Sequence, residues 1–297
     1  MNLHQMTTEK NNPKSTELDA LSIHDALTLM NQEDHEVAVA VKSVLPQIEQ
    51  VIAKVIKAFQ QGGRLIYIGA GTSGRIGLMD AVECPPTFGT SFDMVRGLIA
   101  GGDQAFITAV EGAEDSETMG VDDLKRIDFS GKDVLIGIAA SGRTPYVIAA
   151  MNHAKSLGAF VAAVSNNKQS KIGAIADVAI EADCGPEILT GSTRLKAGSS
   201  QKMILNMIST LSMVGIGKAY KNYMVDVQQS NKKLQARAVN MICAATGAEE
   251  SLATRTLSAS HNQPKVAIVM ILLDCDYGEA RNRLSKANGF VRDAIKK

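Results

Sequence analysis

The sequence contains no tryptophan, and its five tyrosines and seven phenylalanines make up only 4% of 297 residues. Exposed bases of single-stranded nucleic acid are bound by stacking on aromatic side chains, so this scarcity argues against that function. The net charge is also zero, with 31 basic and 31 acidic side chains. A balanced charge argues against any nucleic-acid partner, because a polyphosphate backbone requires a basic surface.

Cysteine is also scarce, and the four residues are widely separated: Cys84, Cys184, Cys243 and Cys275. No Cys-x-x-Cys pair and no matching histidine spacing suggests zinc, so we expect free thiols and no metal site. The first twenty residues lack the apolar core of a signal peptide, and the longest apolar run, Val266–Leu273, is too short to cross a bilayer. We therefore expect a soluble, cytoplasmic protein that does not contact a membrane.

The sequence before residue 64 predicts helices. Residues 1–20 are polar and are expected to be loosely ordered. Apolar residues then recur at steps of three and four from Val37 to Phe59, which predicts a long amphipathic helix ended by Gly62 and Gly63. Pro46 should either bend this helix or divide it into two.

Short, nearly continuous apolar runs follow and indicate buried strands. The clearest lie at 65–68, 133–138 and 159–164, and weaker candidates lie at 93–100 and 177–182. Each clear run is followed by small residues and then by a helical pattern. Buried strands alternating with helices predict an α/β fold, a three-layer sandwich with a central parallel sheet.

The last third of the chain has little strand signal. Only Val266–Leu273 suggests a strand, and it suits a buried helix equally well. A helix is expected around 195–214, followed by several shorter ones. We therefore predict an N-terminal helical segment at 1–44, an α/β domain at 45–220 and a helical C-terminal region at 221–297.

Two turns that follow predicted strands resemble each other. Gly69–Gly74 fits the dinucleotide pattern G-x-G-x-x-G, but the acidic residue expected about 20 positions later is misplaced, since Asp93 precedes its apolar run. The pattern instead has an internal repeat. Ile66–Arg75 reads I-Y-I-G-A-G-T-S-G-R, and Val134–Arg143 reads V-L-I-G-I-A-A-S-G-R.

Two such turns at one edge of a sheet would suit a single anionic group. Glycine lets the backbone approach a ligand, helix N-termini present free N–H groups, and hydroxyl groups add hydrogen bonds. The predicted phosphate-binding residues are Thr72, Ser73, Ser141, Gly142 and Thr144. The alternative is that these hydroxyl groups only cap helices, which Ser and Thr commonly do.

At these residues the sequence resembles the sugar isomerase (SIS) domain family, whose members bind phosphosugars in an α/β sandwich. The second turn of that family usually reads Ser-x-Ser-Gly-x-Thr, and here Ala139 replaces the first serine. The stretch Gly185–Lys202 resembles a signature shared by N-acetylmuramic acid 6-phosphate etherases and glucokinase regulatory proteins. The likeness to the etherases extends over nearly the whole chain, whereas the regulatory proteins are much longer and hold two such domains.

The etherase family implies a carbon–oxygen lyase of cell-wall sugar recycling that needs no cofactor. It cleaves the D-lactyl ether of its substrate to give N-acetylglucosamine 6-phosphate and D-lactate. By similarity the catalytic carboxyl groups are Glu83, which protonates the departing lactate and then activates water, and Glu114, which removes the C2 proton. Glu111, Asp115 and Glu117 remain alternatives to Glu114.

The position of Glu83 raises a geometric question. If 74–82 is one helix, Glu83 lies roughly 14 Å along its axis from the Ser73 turn. Either the helix is short and the chain turns back at Pro85 and Pro86, or Glu83 serves the site of a neighbouring subunit. The resemblance favours a homodimer, as SIS relatives commonly form.

Other interpretations stay open at this point. Glu187 and Lys196 in the signature stretch are candidates to line the sugar, although Lys196 would also suit a solvated helix face. An aldose–ketose phosphosugar isomerase and a phosphosugar-sensing module are the alternative functions.

Overall fold

The computed structural model describes residues 6–108, 110–227 and 232–296. Three short 3-10 turns open the chain, at Thr7–Glu9, Pro13–Ser15 and Leu18–Ala20. Their polar side chains are bonded to distant loops: Asn12 donates to the Pro186 carbonyl (3.3 Å) and Ser15 to the Ile188 carbonyl (2.7 Å). The expectation of a loosely ordered segment is therefore wrong for residues 6–20. Polar contacts hold these residues in place, and such contacts leave no apolar periodicity in the sequence.

The chain divides into two compact units. One comprises Met1–Val82 and Asp93–Ser209, and the other comprises Glu83–Phe92 and Thr210–Lys297. The predicted boundaries at 44 and 220 separate regions by their secondary-structure pattern, whereas each unit is a group of residues in contact with one another. These boundaries therefore stay a prediction.

The first unit begins with two helices where the sequence predicted one long helix or two. Helix α1 spans Ile23–Lys42 and α2 spans Leu45–Gln60. Pro46 lies in the first turn of α2. Proline is tolerated there because it has no N–H to leave unpaired. The sequence therefore forms two helices with a break before Pro46, and not one helix that bends at it.

A five-stranded parallel sheet forms the centre of this unit, and all five predicted strands are confirmed. The elements in chain order are β1 Leu65–Gly69, α3 Gly71–Phe88, β2 Val95–Ile99, α4 Met119–Arg126, β3 Val134–Ile138, α5 Pro145–Ser156, β4 Phe160–Ser165, α6 Lys171–Ile175, β5 Val178–Glu181 and α7 Lys196–Val214. The strand order is β2-β1-β3-β4-β5. Every residue of β1 and β3 is buried, as strands covered on both faces must be.

Helices cover both faces of the sheet. Ile66 and Leu135 belong to one apolar cluster with Tyr146 and Met151 of α5. On the opposite face, the helix α3 approaches so closely that a Cβ on Gly77 would lie 3.0 Å from the Tyr67 Cβ atom. The α/β sandwich expected from the apolar runs is therefore confirmed.

Most described residues of the second unit are helical. Its helices are α8 Lys232–Thr246, α9 Glu250–Ala259, α10 Pro264–Leu273, α11 Tyr277–Lys286 and α12 Val291–Ala294. The ambiguous run Val266–Leu273 is a helix, because Pro264 starts it and Val266–Val269 are buried among the other helices. Among the described residues, no helix combines the length and the hydrophobicity that crossing a membrane requires.

Candidate functional site

The strand order brings the two repeated turns to one place. In the parallel pairing of β1 with β3, Gly69 lies opposite Ile138, so the chain leaves both strands at the same edge. Adjacent strands are about 4.8 Å apart. The order of strands also reverses between β1 and β3, and ligands of open parallel sheets bind outside the carboxyl ends of the strands at such a point.

The first turn is the start of a helix. Only Ala70 separates β1 from α3, and its carbonyl accepts the first helical hydrogen bond from the Gly74 N–H at 3.2 Å. Thr72 and Ser73 therefore lie in the first turn of α3, where backbone N–H groups have no acceptor within the helix. A Cβ on Gly74 would lie 2.6 Å from Ile99 Cγ1, so glycine lets α3 begin against the sheet.

The second turn has a different conformation from the first, despite its similar sequence. Ser141, Gly142 and Arg143 lie in a loop, because Pro145 sets the first turn of α5 and Thr144 before it is not helical. Gly142 has φ +69°, and a Cβ there would lie 2.3 Å from the Ser170 Cβ. The repeat thus predicted two turns at one edge but not their difference.

The hydroxyl group of Thr144 does not cap a helix. This residue is the N-cap of α5, yet its side chain makes no capping hydrogen bond. Ser73 lies inside α3 and so is no N-cap. Among the described residues, neither these two hydroxyl groups nor those of Thr72 and Ser141 have a side-chain hydrogen-bond partner. They are therefore available to a ligand.

Asn166 and Asn167 form hydrogen bonds to the start of the second turn. The Ala140 carbonyl accepts hydrogen bonds from the Asn166 N–H and from the Asn167 side-chain amide, both at 3.0 Å. The same Asn167 amide donates to the hydroxyl group of Thr8 at 2.9 Å, which attaches the N-terminal segment to this turn. The sequence reasoning missed these asparagines, whose only signal is their position directly after the predicted strand at 159–164.

Glu114 lies in a cavity that also reaches the first turn. The cavity has a volume of about 220 Å³ and is lined by Gly71, Arg75, Ala100, Ala105, Val110, Glu111, Gly112 and Glu114. Glu114 is exposed, on a 3-10 turn whose first residue, Ala113, is buried in the core. Of its sequence-based rivals, Glu111 shares the cavity, whereas Asp115 and Glu117 do not line it.

Glu83 lies on an unbroken helix. Helix α3 runs from Gly71 to Phe88 with Pro85 and Pro86 inside it, so the chain does not turn back after Glu83. The alternative of a short, bent helix is therefore wrong. At about 1.5 Å per residue, Glu83 lies about 15 Å along the helix axis from Ser73. Its side chain is exposed.

Glu187 and Lys196 of the signature stretch are buried and paired within the protein. The Glu187 carboxylate accepts the N–H groups of Lys196 (3.0 Å) and Ala197 (2.9 Å) and so caps α7. Burial raises the pKa of Glu187. The Lys196 ammonium group lies 2.7 Å from Glu33. The solvated-face interpretation of Lys196 is thus wrong, and its charge is used inside the fold.

Two features of the described side chains bear on a metal site and on a dinucleotide site. Within the described ranges, no three His, Cys, Asp or Glu residues come close enough together to hold a metal ion. Asp93, which lies near the position of a ribose-binding acid in the dinucleotide pattern, forms an exposed ion pair with Arg96 at 3.1 Å.

Comparison with known proteins gives two overlapping domain matches and full-length relatives. Residues 47–155 match the glucokinase regulatory protein N-terminal SIS domain, and residues 127–211 match the SIS domain. The chain is 57% identical over 293 residues to the N-acetylmuramic acid 6-phosphate etherase of Geobacillus sp. (strain WCH70), covering 99% of each chain. It is 54% identical to that of Exiguobacterium sp. (strain ATCC BAA-1283 / AT1b), covering 99% of this chain and 100% of the relative.

A solved structure supports the fold. The phosphoheptose isomerase of Neisseria gonorrhoeae superposes with a TM-score of 0.51 at 16% sequence identity, covering 64% of this chain and 98% of that one.

Proposed function

The chain belongs to the N-acetylmuramic acid 6-phosphate etherase family, and we propose that it performs the family reaction with the two turns and the Glu114 cavity. Relatives that carry this name are 54–57% identical over 293 residues. The chain is accordingly a carbon–oxygen lyase that cleaves N-acetylmuramic acid 6-phosphate to N-acetylglucosamine 6-phosphate and D-lactate, in cell-wall sugar recycling.

The phosphate group binds between the turns. The N-terminal N–H groups of α3 and the hydroxyl groups of Thr72 and Ser73 face it from the first turn. Ser141, Gly142 and Thr144 face it from the second turn. A doubly charged phosphate is stabilised there by N–H donors and the helix dipole, without a basic patch. This explains how a chain of zero net charge takes an anionic substrate.

The reaction needs one base and one acid. In the open-chain sugar the C1 aldehyde acidifies the C2 proton, which the Glu114 carboxylate removes. The electron pair of the C2–H bond forms a C2=C3 double bond as the C3–O bond breaks, and the Glu83 carboxylic acid protonates the departing lactate oxygen. Glu83, now ionised, takes a proton from the water that adds at C3, and Glu114 returns its proton to C2.

The observation that carries this assignment is the cavity shared by Glu114 and Gly71. A carboxylate in a cavity that also reaches the turn proposed to bind phosphate supports the assignment, because a base acting on a phosphosugar must lie near its phosphate site. Glu111 lines the same cavity and is the remaining rival. Substituting each by glutamine separates them: Glu114→Gln should abolish D-lactate release, and Glu111→Gln should retain most of it.

Release of D-lactate from N-acetylmuramic acid 6-phosphate tests the function. An aldose–ketose isomerase would form a ketose phosphate without lactate, and a sensing module would bind the sugar without turnover. Glu117→Gln is the matched control for Glu114→Gln and should keep releasing lactate, since Glu117 is an exposed acid close to Glu114 in the chain but outside the cavity. Absence of lactate with the unmodified protein would overturn the assignment.

The two catalytic roles can be separated by isotope exchange. In D₂O, Glu83→Gln should still exchange the C2 proton of the substrate while releasing lactate slowly, because the base is intact. Glu114→Gln should show neither process. Exchange in Glu114→Gln but not in Glu83→Gln would reverse the roles.

The protein acts as a cytoplasmic homodimer in which Glu83 serves the partner's site. Its distance of about 15 Å along α3 from Ser73 supports this arrangement. Mixing inactive Glu83→Gln and Glu114→Gln subunits tests it, since a mixed dimer would contain one site with both carboxyl groups and regain activity. If each subunit supplied both groups to its own site, the mixture would stay inactive.

A further inference from the structure

Arg75 joins the first turn to the segment that carries Glu114. Its Nε donates to the Phe106 carbonyl at 2.9 Å, and its Nη2 donates to the Ala105 carbonyl at 2.8 Å. These carbonyls lie at the end of the 3-10 helix Asp103–Phe106, which follows β2. Among the described residues, no loop or turn N–H donates to either carbonyl, so the guanidinium group satisfies both.

Most described side chains at this end of the segment are exposed to solvent. Phe106, Ile107 and Val110 are 47%, 87% and 42% exposed, and among the described residues 103–108 and 110 only Ala105 is buried. Beyond it, Ala113 packs in the core and fixes the far end of the stretch. The wall of the cavity next to Glu114 is therefore held by the core at Ala113 and by Arg75 at the other end.

We propose that Arg75 is a positioning residue for the reaction, holding Ala105 of the cavity wall and the adjacent Phe106 so that Glu114 faces a sugar whose phosphate lies in the first turn. Arg75 is in the same helical turn as Ser73, so one rigid element sets both the phosphate position and the position of the base. This inference rests on the proposed function.

The second copy of the repeat provides a contrast. Arg143 follows Ser141-Gly142 as Arg75 follows Ser73-Gly74. Its Nη1 lies 3.7 Å from the Met6 sulfur atom, a weak contact with the N-terminal segment. The sequence makes the two arginines equivalent, and only the contacts separate them.

Bonding both carbonyls requires the shape of the arginine side chain and not only its positive charge. A guanidinium group presents several N–H donors in a planar fork, which here span two successive carbonyls. A lysine ammonium group keeps the charge but is a single point without this fork. If only the charge mattered, Arg75→Lys would keep its activity. If the fork geometry matters, Arg75→Lys should lose it.

Steady-state kinetics provide the first test. Arg75→Met and Arg75→Lys should each lower kcat for lactate release on the order of 100-fold, the cost of displacing a catalytic group by about 1 Å. Binding of N-acetylglucosamine 6-phosphate should change less than about threefold, since the phosphate turns remain. Arg283→Met, the control, should keep kcat within about twofold, since Arg283 forms an exposed ion pair with Glu279 and belongs to neither turn nor to the cavity lining. Full activity in Arg75→Lys, or equal losses in Arg75→Met and Arg283→Met, would overturn the proposal.

Two further measurements exclude a merely structural effect. Added guanidinium ion at non-denaturing concentration should restore part of the kcat of Arg75→Ala and none of that of Glu114→Gln. Amide hydrogen exchange in 103–114 should accelerate in Arg75→Met while exchange in the sheet is unchanged. If the unmodified protein released no lactate, the proposed function would fail, and the exchange result would still decide whether Arg75 holds the segment.

Discussion

The Lys196 ammonium group lies 2.7 Å from the Glu33 carboxylate, although 163 residues separate them in the chain. Both side chains are almost fully buried, at 3% and 6% exposure. The same carboxylate accepts hydrogen bonds from Asn12 and Lys14, both at 2.8 Å. Glu33 of α1 thus attaches the N-terminal segment to the start of α7, whose residue Gly198 packs beside Thr72 of the first turn.

Removing the buried partner of this pair should destabilise the protein strongly. Lys196→Met keeps the side-chain volume but leaves the Glu33 charge buried without its closest cation, which typically costs 3–5 kcal/mol, and we expect about 3 kcal/mol because Lys14 and Asn12 remain. Thermal or urea unfolding measures the loss. Lys14→Met is the matched control, since Lys14 bonds to the same carboxylate from the solvent, and its substitution should shift the midpoint far less. Equal shifts would contradict this account.

The stability of the protein should fall at acidic pH partly through Glu33. Burial raises the pKa of Glu33, but hydrogen bonds from Lys14, Lys196 and Asn12 outweigh it, and the pKa falls from 4.5 to about 2. The folded state therefore favours the ionised form, so this contribution is complete above about pH 4.5 and is lost as the pH falls toward about 2. In melting experiments, Glu33→Gln should be less stable than the unmodified protein at neutral pH. This difference in stability should shrink as the pH falls from about 4.5 toward about 2. A difference that stays constant over that range would contradict the role given to Glu33.

Gly142 should tolerate no side chain. Gly142→Ala combines a φ of +69° with a Cβ placed 2.3 Å from Ser170, so the second turn must move. We expect at least a tenfold weaker affinity for N-acetylglucosamine 6-phosphate, measured by calorimetry. Gly62→Ala is the matched control, because Gly62 also has a positive φ, +77°, but no atom within 4 Å of its Cβ position. That variant should lose only about 1 kcal/mol of stability and keep its affinity.

Thr144 and Ser22 should respond in opposite ways when their hydroxyl groups are removed. Ser22 caps α1 by accepting the Asp25 N–H at 3.2 Å, whereas Thr144 makes no capping bond to α5. Ser22→Ala should therefore cost about 1 kcal/mol of stability without affecting binding. Thr144→Val should leave the melting temperature nearly unchanged and weaken phosphosugar binding. If Thr144→Val instead lowered stability alone, its role would be structural.

Ser73 and Ser141 extend the binding test to both turns. Ser73→Ala and Ser141→Ala should each weaken binding of N-acetylglucosamine 6-phosphate while changing the affinity for N-acetylglucosamine little. The reason is that, in the proposed binding mode, their hydroxyl groups contact the phosphate and not the sugar ring. Equal losses for both ligands would indicate that the turns have collapsed.

Local sequence patterns were sufficient for the elements of this fold. Strands buried on both faces leave continuous apolar runs, and these located β1, β3 and β4 clearly, whereas the partly exposed β2 and β5 gave weaker signals. The break at Pro46 and the repeated turns are also local, because proline and glycine act through their own backbone geometry. Val266–Leu273 could not be assigned, since a wholly apolar run has no periodicity to separate a helix from a strand.

Only the tertiary structure decided which distant residues meet. It placed β1 beside β3 and thereby set the two turns side by side, it paired Lys196 with Glu33, and it distinguished Arg75 from Arg143. The physical reason is that strand order, buried ion pairs and side-chain contacts depend on packing between segments far apart in the chain. The sequence by itself determined the parts and the chemistry they carry, and packing determined which of those parts form a site.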